Sequence, residues 1–183
     1  MRLVLALTLA LATAMPLSAT VLIPAEFREI VSGSQIIVHG RVSDVRAAWT
    51  PGRRRIESVV TLQAASFYRG SASRTLTFRV PGGQIGRYKS VTVGAPEFRA
   101  GDEVVLFLKA SGPAVPQVFG LNQGVFRVRV EPRTGRRLVM QPIVTARSAA
   151  PTVVARGARE RRPLPLDQFA AQVRTVLRQA GAR

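Results

Sequence analysis

Residues 103–109 read Glu, Val, Val, Leu, Phe, Leu, Lys, so five consecutive apolar side chains are bounded by charges. Side chains of a strand alternate between its two faces. A strand apolar at Val104, Leu106 and Leu108, and equally at Val105 and Phe107, is expected to be buried on both sides and to be the most buried element of the chain.

Neighbouring segments alternate instead. From Gln35, Ile36, Val38, Gly40 and Val42 share one face, while Ile37, His39, Arg41 and Ser43 share the other. Gly40 marks a bulge or bend in that strand. After a turn at Trp49, Thr50, Pro51 and Gly52, a second extended segment covers residues 55–68, and its broken alternation at residues 64–67 predicts another bulge. Residues 74–80 alternate cleanly, with Leu76, Phe78 and Val80 inward and Thr75, Thr77 and Arg79 outward. Residues 82–101 read as a long connection with one short strand at 89–93. Further strands are expected near residues 117–120 and 125–131, and a turn at Thr134 and Gly135 leads back into 137–141.

Helical spacing occurs twice. Residues 24–31 open on Pro24, carry Glu26 and Glu29 in the first turn, and place Phe27, Ile30 and Val31 on one side. Near the other end, Leu166, Phe169, Ala170, Val173, Val176, Leu177 and Ala180 recur on one stripe, with Asp167 early and Arg174 and Arg178 late. Several short strands flanked by two helices predict a small antiparallel barrel or sandwich.

Composition narrows the chemistry. There is no cysteine and one histidine, His39, so a zinc site of His and Cys type is excluded. A Ser-His-Asp set would have to run through His39, which reads as a half-exposed strand residue beside Arg41. Gly82, Gly83, Gln84, Ile85 and Gly86 lack the Lys-Ser/Thr ending of a phosphate loop and read as a glycine-rich turn. No catalytic residue, cofactor or metal is expected. The formal net charge is +17, and almost all of it is arginine. Such a field favours polyanions, although a composition rich in Ala, Arg, Gly, Val and Pro is also what a GC-rich genome encodes. Arg41, Arg79, Arg127 and Arg129 fall on polar strand faces and would form a basic stripe if adjacent. Trp49, Tyr68 and Tyr88 stand at strand ends, where a base or sugar ring could stack.

Arg2, the apolar run over residues 3–14, and the segment Met15, Pro16, Leu17, Ser18, Ala19 have the three-part form of a secretory signal. The run is shorter than the roughly 20 residues that span a bilayer. The expected organisation is therefore a signal peptide at 1–19, a β-barrel domain with its short helix at 20–145, an Arg/Pro/Ala-rich linker at 146–163 and an amphipathic helix at 164–181. The mature chain is expected to be periplasmic or secreted, without an integral membrane segment.

Four segments taken together carry a resemblance: Ile36 to Val42, Phe67 to Gly70, Phe78 to Gly83, and Ala100 to Leu108. In strand order and turn residues they resemble uncharacterised exported bacterial proteins, with a layout similar to the OB-like barrel of the netrin-module and tissue-inhibitor-of-metalloproteinase superfamily. The resemblance covers roughly residues 36–130. It implies an OB-like β-barrel and a non-enzymatic binding or inhibitor module acting on an extracytoplasmic protein, with a protease among the candidates. The inhibitor branch binds the protease zinc through an N-terminal cysteine, and this chain has none. The alternative function is polyanion binding by the arginine-rich surface. Mass spectrometry of the native protein should find an N-terminus near Thr20. Intact Met1 in a membrane fraction would overturn export with cleavage.

Overall fold

A computed structural model describes residues 24–71, 73–110, 115–142 and 163–181. The expected signal peptide at 1–19 and nearly all of the linker at 146–163 lie outside the described residues.

The chain is mainly β, with a closed five-stranded barrel, a short helix near the N-terminus and a helix at the C-terminal end. Helix α1 (Phe27–Ser32) leads into β1 (Ile36–Trp49), which returns as β2 (Ile56–Arg69) and then β3 (Thr75–Pro81). A small separate hairpin, β4 (Gly83–Ile85) and β5 (Tyr88–Ser90), precedes β6 (Glu103–Lys109) and the two-residue β7 (Gln117–Val118). Strands β8 (Val125–Val130), β9 (Arg137–Met140) and β10 (Leu164–Pro165) follow, and α2 (Leu166–Gly181) ends the described fold.

Closure depends on β6. One of its edges pairs antiparallel with β1, from Ile36 opposite Leu108 to Arg41 opposite Glu103. Its other edge takes β8 opposite residues 104–106 and β7 opposite Leu108 and Lys109. Strand β7 also meets β3 in parallel at Arg79 and Gln117, so one parallel contact seals an otherwise antiparallel barrel. Strands β8, β9 and β10 extend the sheet beyond the barrel. Pro165 sits in the outermost strand, where the missing N–H costs no ladder bond.

The two-faced burial read from residues 103–109 divides two cores. Val104, Leu106 and Leu108 point into the barrel with Val38, Val60, Leu62, Phe78 and Val80. Val105 and Phe107 point outward, where α1 and α2 cover them with Phe27, Ile30, Phe169 and Val173. All five strand residues are fully buried. Phe27 joins the two helices, with its ring centroid 5.6 Å from Phe169 and 6.1 Å from Phe107, both edge-on. Such pairs contribute roughly 0.5–1.5 kcal/mol beyond their buried area.

The irregularity expected at residues 64–67 is present at Ala65, whereas the extra residue of β1 is Ser43 rather than Gly40. Register shifts occur between His39 and Gly40 and between Ile37 and Val38, leaving Ala65 and Tyr68 of β2 as extra residues. Gly40 is required by close approach, because a Cβ there would lie 2.3 Å from the Gln63 carbonyl oxygen.

Several boundaries differ from the sequence reading. Strand β1 runs on to Trp49, because its pairing with β2 continues to the hairpin tip. The connection at 82–101 holds a hairpin rather than a strand at 89–93, since Gly86 (φ 57°) turns Ile85 back onto Tyr88. The C-terminal helix starts at Leu166, after Leu164 and Pro165 have joined the sheet. Val130 shares a face with Phe126 and Val128 yet is 57 % exposed, because neither core extends over it. Ala180 is likewise exposed on the last turn of α2.

Removing the Phe169 ring leaves a cavity beneath α2 and strips Phe27 of a partner. Phe169→Ala should destabilise the fold by about 3–5 kcal/mol. Chemical denaturation measures this, and an unchanged midpoint would mean that α2 does not hold the outer core.

Candidate functional site

The β1–β2 hairpin closes at Trp49 opposite Ile56. Its tip is held by the Thr50 N–H donating to the Arg55 carbonyl at 2.9 Å and by the Arg55 N–H donating to Thr50 Oγ1 at 3.1 Å. Between them Gly52 (φ 74°) and Arg53 (φ 53°) adopt left-handed backbone. For arginine that conformation costs roughly 1–2 kcal/mol. The turn projects Arg53, Arg54 and Arg55 into solvent.

The small β4–β5 hairpin is fastened across this end. Ser58 Oγ donates to the Gly82 carbonyl at 2.9 Å and the Gly82 N–H donates to the Ile56 carbonyl at 3.1 Å. Gly83 lies so close to β2 that a Cβ would be 3.1 Å from both Ile56 Cγ2 and Ser58 Oγ. This contact brings Tyr88 to Trp49, with ring centroids 5.7 Å apart and planes inclined at 66°. The Arg53 guanidinium lies 5.5 Å from the Trp49 ring centre, and that of Arg87 lies 5.2 Å from the Tyr88 ring centre. Each guanidinium therefore caps one face of its ring. Just beyond, Val91 is 72 % exposed, Val93 is 93 % exposed and Tyr88 itself is 52 % exposed. Tyr88, Val91 and Val93 thus expose three large apolar side chains within six positions of the chain.

Charge is distributed unevenly around the molecule. Among the described residues, none of Arg53, Arg54, Arg55, Arg87 and Lys89 forms an ion pair with a carboxylate. The arginines singled out from the sequence behave differently. Arg41 donates to Glu103 at 3.1 Å and to the Gly101 carbonyl at 3.0 Å. Arg127 donates to Asp102 at 2.9 Å and to the Glu97 carbonyl, and it stacks over Phe98. Arg79 reaches Glu57 at 3.4 Å. Arg41, Arg127 and Arg129 line one shallow hollow, while Arg79 lies beside a separate one with Glu57. The expected stripe is thus broken in space, and three of its four members are matched by acids. Alternation placed them on polar faces, but their partners come from strands and loops remote in sequence.

His39 departs from its sequence reading. It is only 6 % exposed, and its Nε2 lies 2.9 Å from Glu103. Glu103 also receives Arg41 and, at 3.6 Å, Arg137. Arg41 and Glu103 face each other directly across the β1–β6 ladder, which explains how residues 62 apart form a pair. Among the described residues, no group of three or more His, Asp and Glu side chains is placed to hold a metal ion. No described helix is long and apolar enough to cross a membrane.

No protein-family model, curated protein or solved structure matches the chain. Its chemistry is therefore read from its own surface.

Of the three aromatic residues marked in the sequence, Trp49 and Tyr88 meet at the hairpin tip. Tyr68 stands at the opposite end of the β1–β2 hairpin, beneath Arg174 of α2. The sequence reading missed Arg53, Arg54, Arg55, Arg87, Lys89, Val91 and Val93. A signal for the first five was present, since Arg53 to Arg55 follow the Pro51 and Gly52 turn directly and Arg87 and Lys89 flank Tyr88. Nothing local announced that the two loops touch.

Burial raises the pKa of the Tyr68 phenol above its ordinary value, partly opposed by a hydrogen bond with Ser66 and by the Arg174 charge. The folded state thus holds this proton more tightly than the unfolded chain does. Its contribution to stability is present below about pH 10 and is lost as pH rises through the folded-state value. In a Tyr88→Phe variant, the remaining phenol should ionise above pH 10 by ultraviolet titration. Ionisation at or below pH 10 would contradict the burial of Tyr68.

Proposed function

We propose that this protein is an exported, non-enzymatic binding module that docks the Trp49–Tyr88 end of its barrel on an acidic surface of an extracytoplasmic protein. The observation that carries this reading is the concentration of unpaired cations around an exposed aromatic and valine patch. Tyrosine, tryptophan and arginine at the centre of a patch are the composition of protein-binding hot spots. The cations would speed encounter with an acidic partner, and the apolar patch would hold it. The left-handed Arg53 and the fastened β4–β5 hairpin pre-arrange these groups, which lowers the ordering cost of binding. The netrin-module resemblance keeps a protease among the candidate partners. Any inhibition would have to work without the cysteine of that superfamily.

Polyanion binding is the second reading, and the overall charge of +17 supports it. The matched pairs of Arg41, Arg79 and Arg127 weigh against a stripe built from those residues. The capped faces of Trp49 and Tyr88 weigh against base stacking at the tip.

The test is capture of a partner by the mature protein from a periplasmic or culture-supernatant fraction, followed by affinity measurement at physiological salt, where the screening length is about 8 Å. Arg87→Glu combined with Val93→Asp should cost 2 kcal/mol or more, about 30-fold in Kd, while Arg79→Gln should change little. Heparin affinity should collapse at that ionic strength. Submicromolar heparin binding that persists there, and that is lost on changing Arg127 and Arg129, would favour the polyanion reading instead.

A further inference from the structure

An open hollow of about 720 Å³ lies between the first turns of α2 and the sheet, far from the Trp49–Tyr88 tip. Its walls include His39, Ser66, Tyr68, Arg136, Arg137 and Arg174. A second hollow of about 470 Å³ shares Tyr68 and Arg174 with it and continues along Ala171, Thr175 and Leu177 of α2. The two form one groove, cationic at one end and mostly apolar at the other, where Arg178 is the remaining cation. Its position is set by the β2 bulges, since the extra residues Ala65 and Tyr68 both line the first hollow. Bulges re-aim side chains in this way and are frequent beside binding sites.

We propose that this groove binds a small amphipathic anion, a carboxylate carried on an apolar chain. The carboxylate lies among Arg136, Arg137 and Arg174, and the chain lies along Tyr68, Ala171 and Leu177. Charge fixes the class of ligand. Arg136, Arg137, Arg174 and Arg178 line the groove against Asp167 at its rim, and Glu103 behind His39 is already engaged by Arg41, so the groove carries an excess of positive charge that suits an anion. Arg137 is partly engaged by Glu103 at 3.6 Å. Arg136 and Arg174 form no ion pair with a carboxylate among the described residues. The Arg174 guanidinium stands 5.7 Å from the Tyr68 ring centre, where the two hollows meet. A planar guanidinium held there can take a carboxylate through two parallel hydrogen bonds. The linker at 146–163 is a poor occupant, because it carries Arg147, Arg156, Arg159, Arg161 and Arg162 against Glu160 alone.

Isothermal titration calorimetry with decanoate, on the mature chain at physiological salt, tests this. One saturable site is expected. Arg174→Gln and Ala171→Glu should each weaken it at least tenfold, and both positions are exposed on α2, so the fold should survive. Arg99→Gln removes the same charge from an exposed loop and should leave affinity unchanged. Acetate and submicellar decyl maltoside, which offer the charge or the chain alone, should not displace decanoate. The proposal is overturned by absence of a saturable site, by unchanged affinity in both α2 variants whose melting temperatures match the parent, by equal weakening in Arg99→Gln, or by displacement with either half-ligand.

Discussion

The fold depends on one strand being buried on both faces. Strand β6 gives Val104, Leu106 and Leu108 to the barrel interior and Val105 and Phe107 to the layer under the helices. At roughly 1.5–3 kcal/mol for each such side chain buried, these five residues tie the two cores together. The same strand also carries the pairing that closes the barrel and the pairing that extends the sheet. A polar residue at any of its interior positions would be buried in one core or the other, and in a chain without disulfides neither core has covalent reinforcement.

The outer layer ends abruptly, and its edge sets the chemistry of that face. Along β1 the outward side chains run Ile37, His39, Arg41, and along β6 they run Phe107, Val105, Glu103. Where helix cover stops, polar groups replace apolar ones on neighbouring strands and neutralise one another through Glu103. Charges matched in this way hold an edge together and contribute little to long-range attraction. The cations without a carboxylate partner among the described residues include Arg53, Arg54, Arg55 and Arg87 at the hairpin tip and Arg174 on α2.

Legibility followed the range of the interactions. The clean alternation of Leu76, Phe78 and Val80 gave β3 its correct faces, and the broken alternation around residues 64–67 located the β2 bulges. The helical stripe of Phe169, Ala170 and Val173 marked the buried face of α2. The β4–β5 hairpin escaped notice because three-residue strands carry too few side chains for a period to register. The pairing of Arg127 with Asp102 and of His39 with Glu103 was invisible for another reason. Each pair joins segments at least 25 residues apart, and their meeting depends on strand order.

By itself the sequence determined the two-faced burial of β6, the apolar faces of β3 and α2, and that the chain is strongly basic, because these follow from side-chain polarity and local period, whereas the burial of His39 and the exposure of Val130 did not. Only the tertiary structure decided which arginines are neutralised and which remain free, and which aromatic residues meet. The physical reason is that an ion pair or a ring contact requires a few ångströms of approach between loops and strands, and sheet register sets that distance. Trp49 and Tyr88 are 39 positions apart in the chain and 5.7 Å apart in space, whereas Tyr68, between them in sequence, lies at the other end of the hairpin.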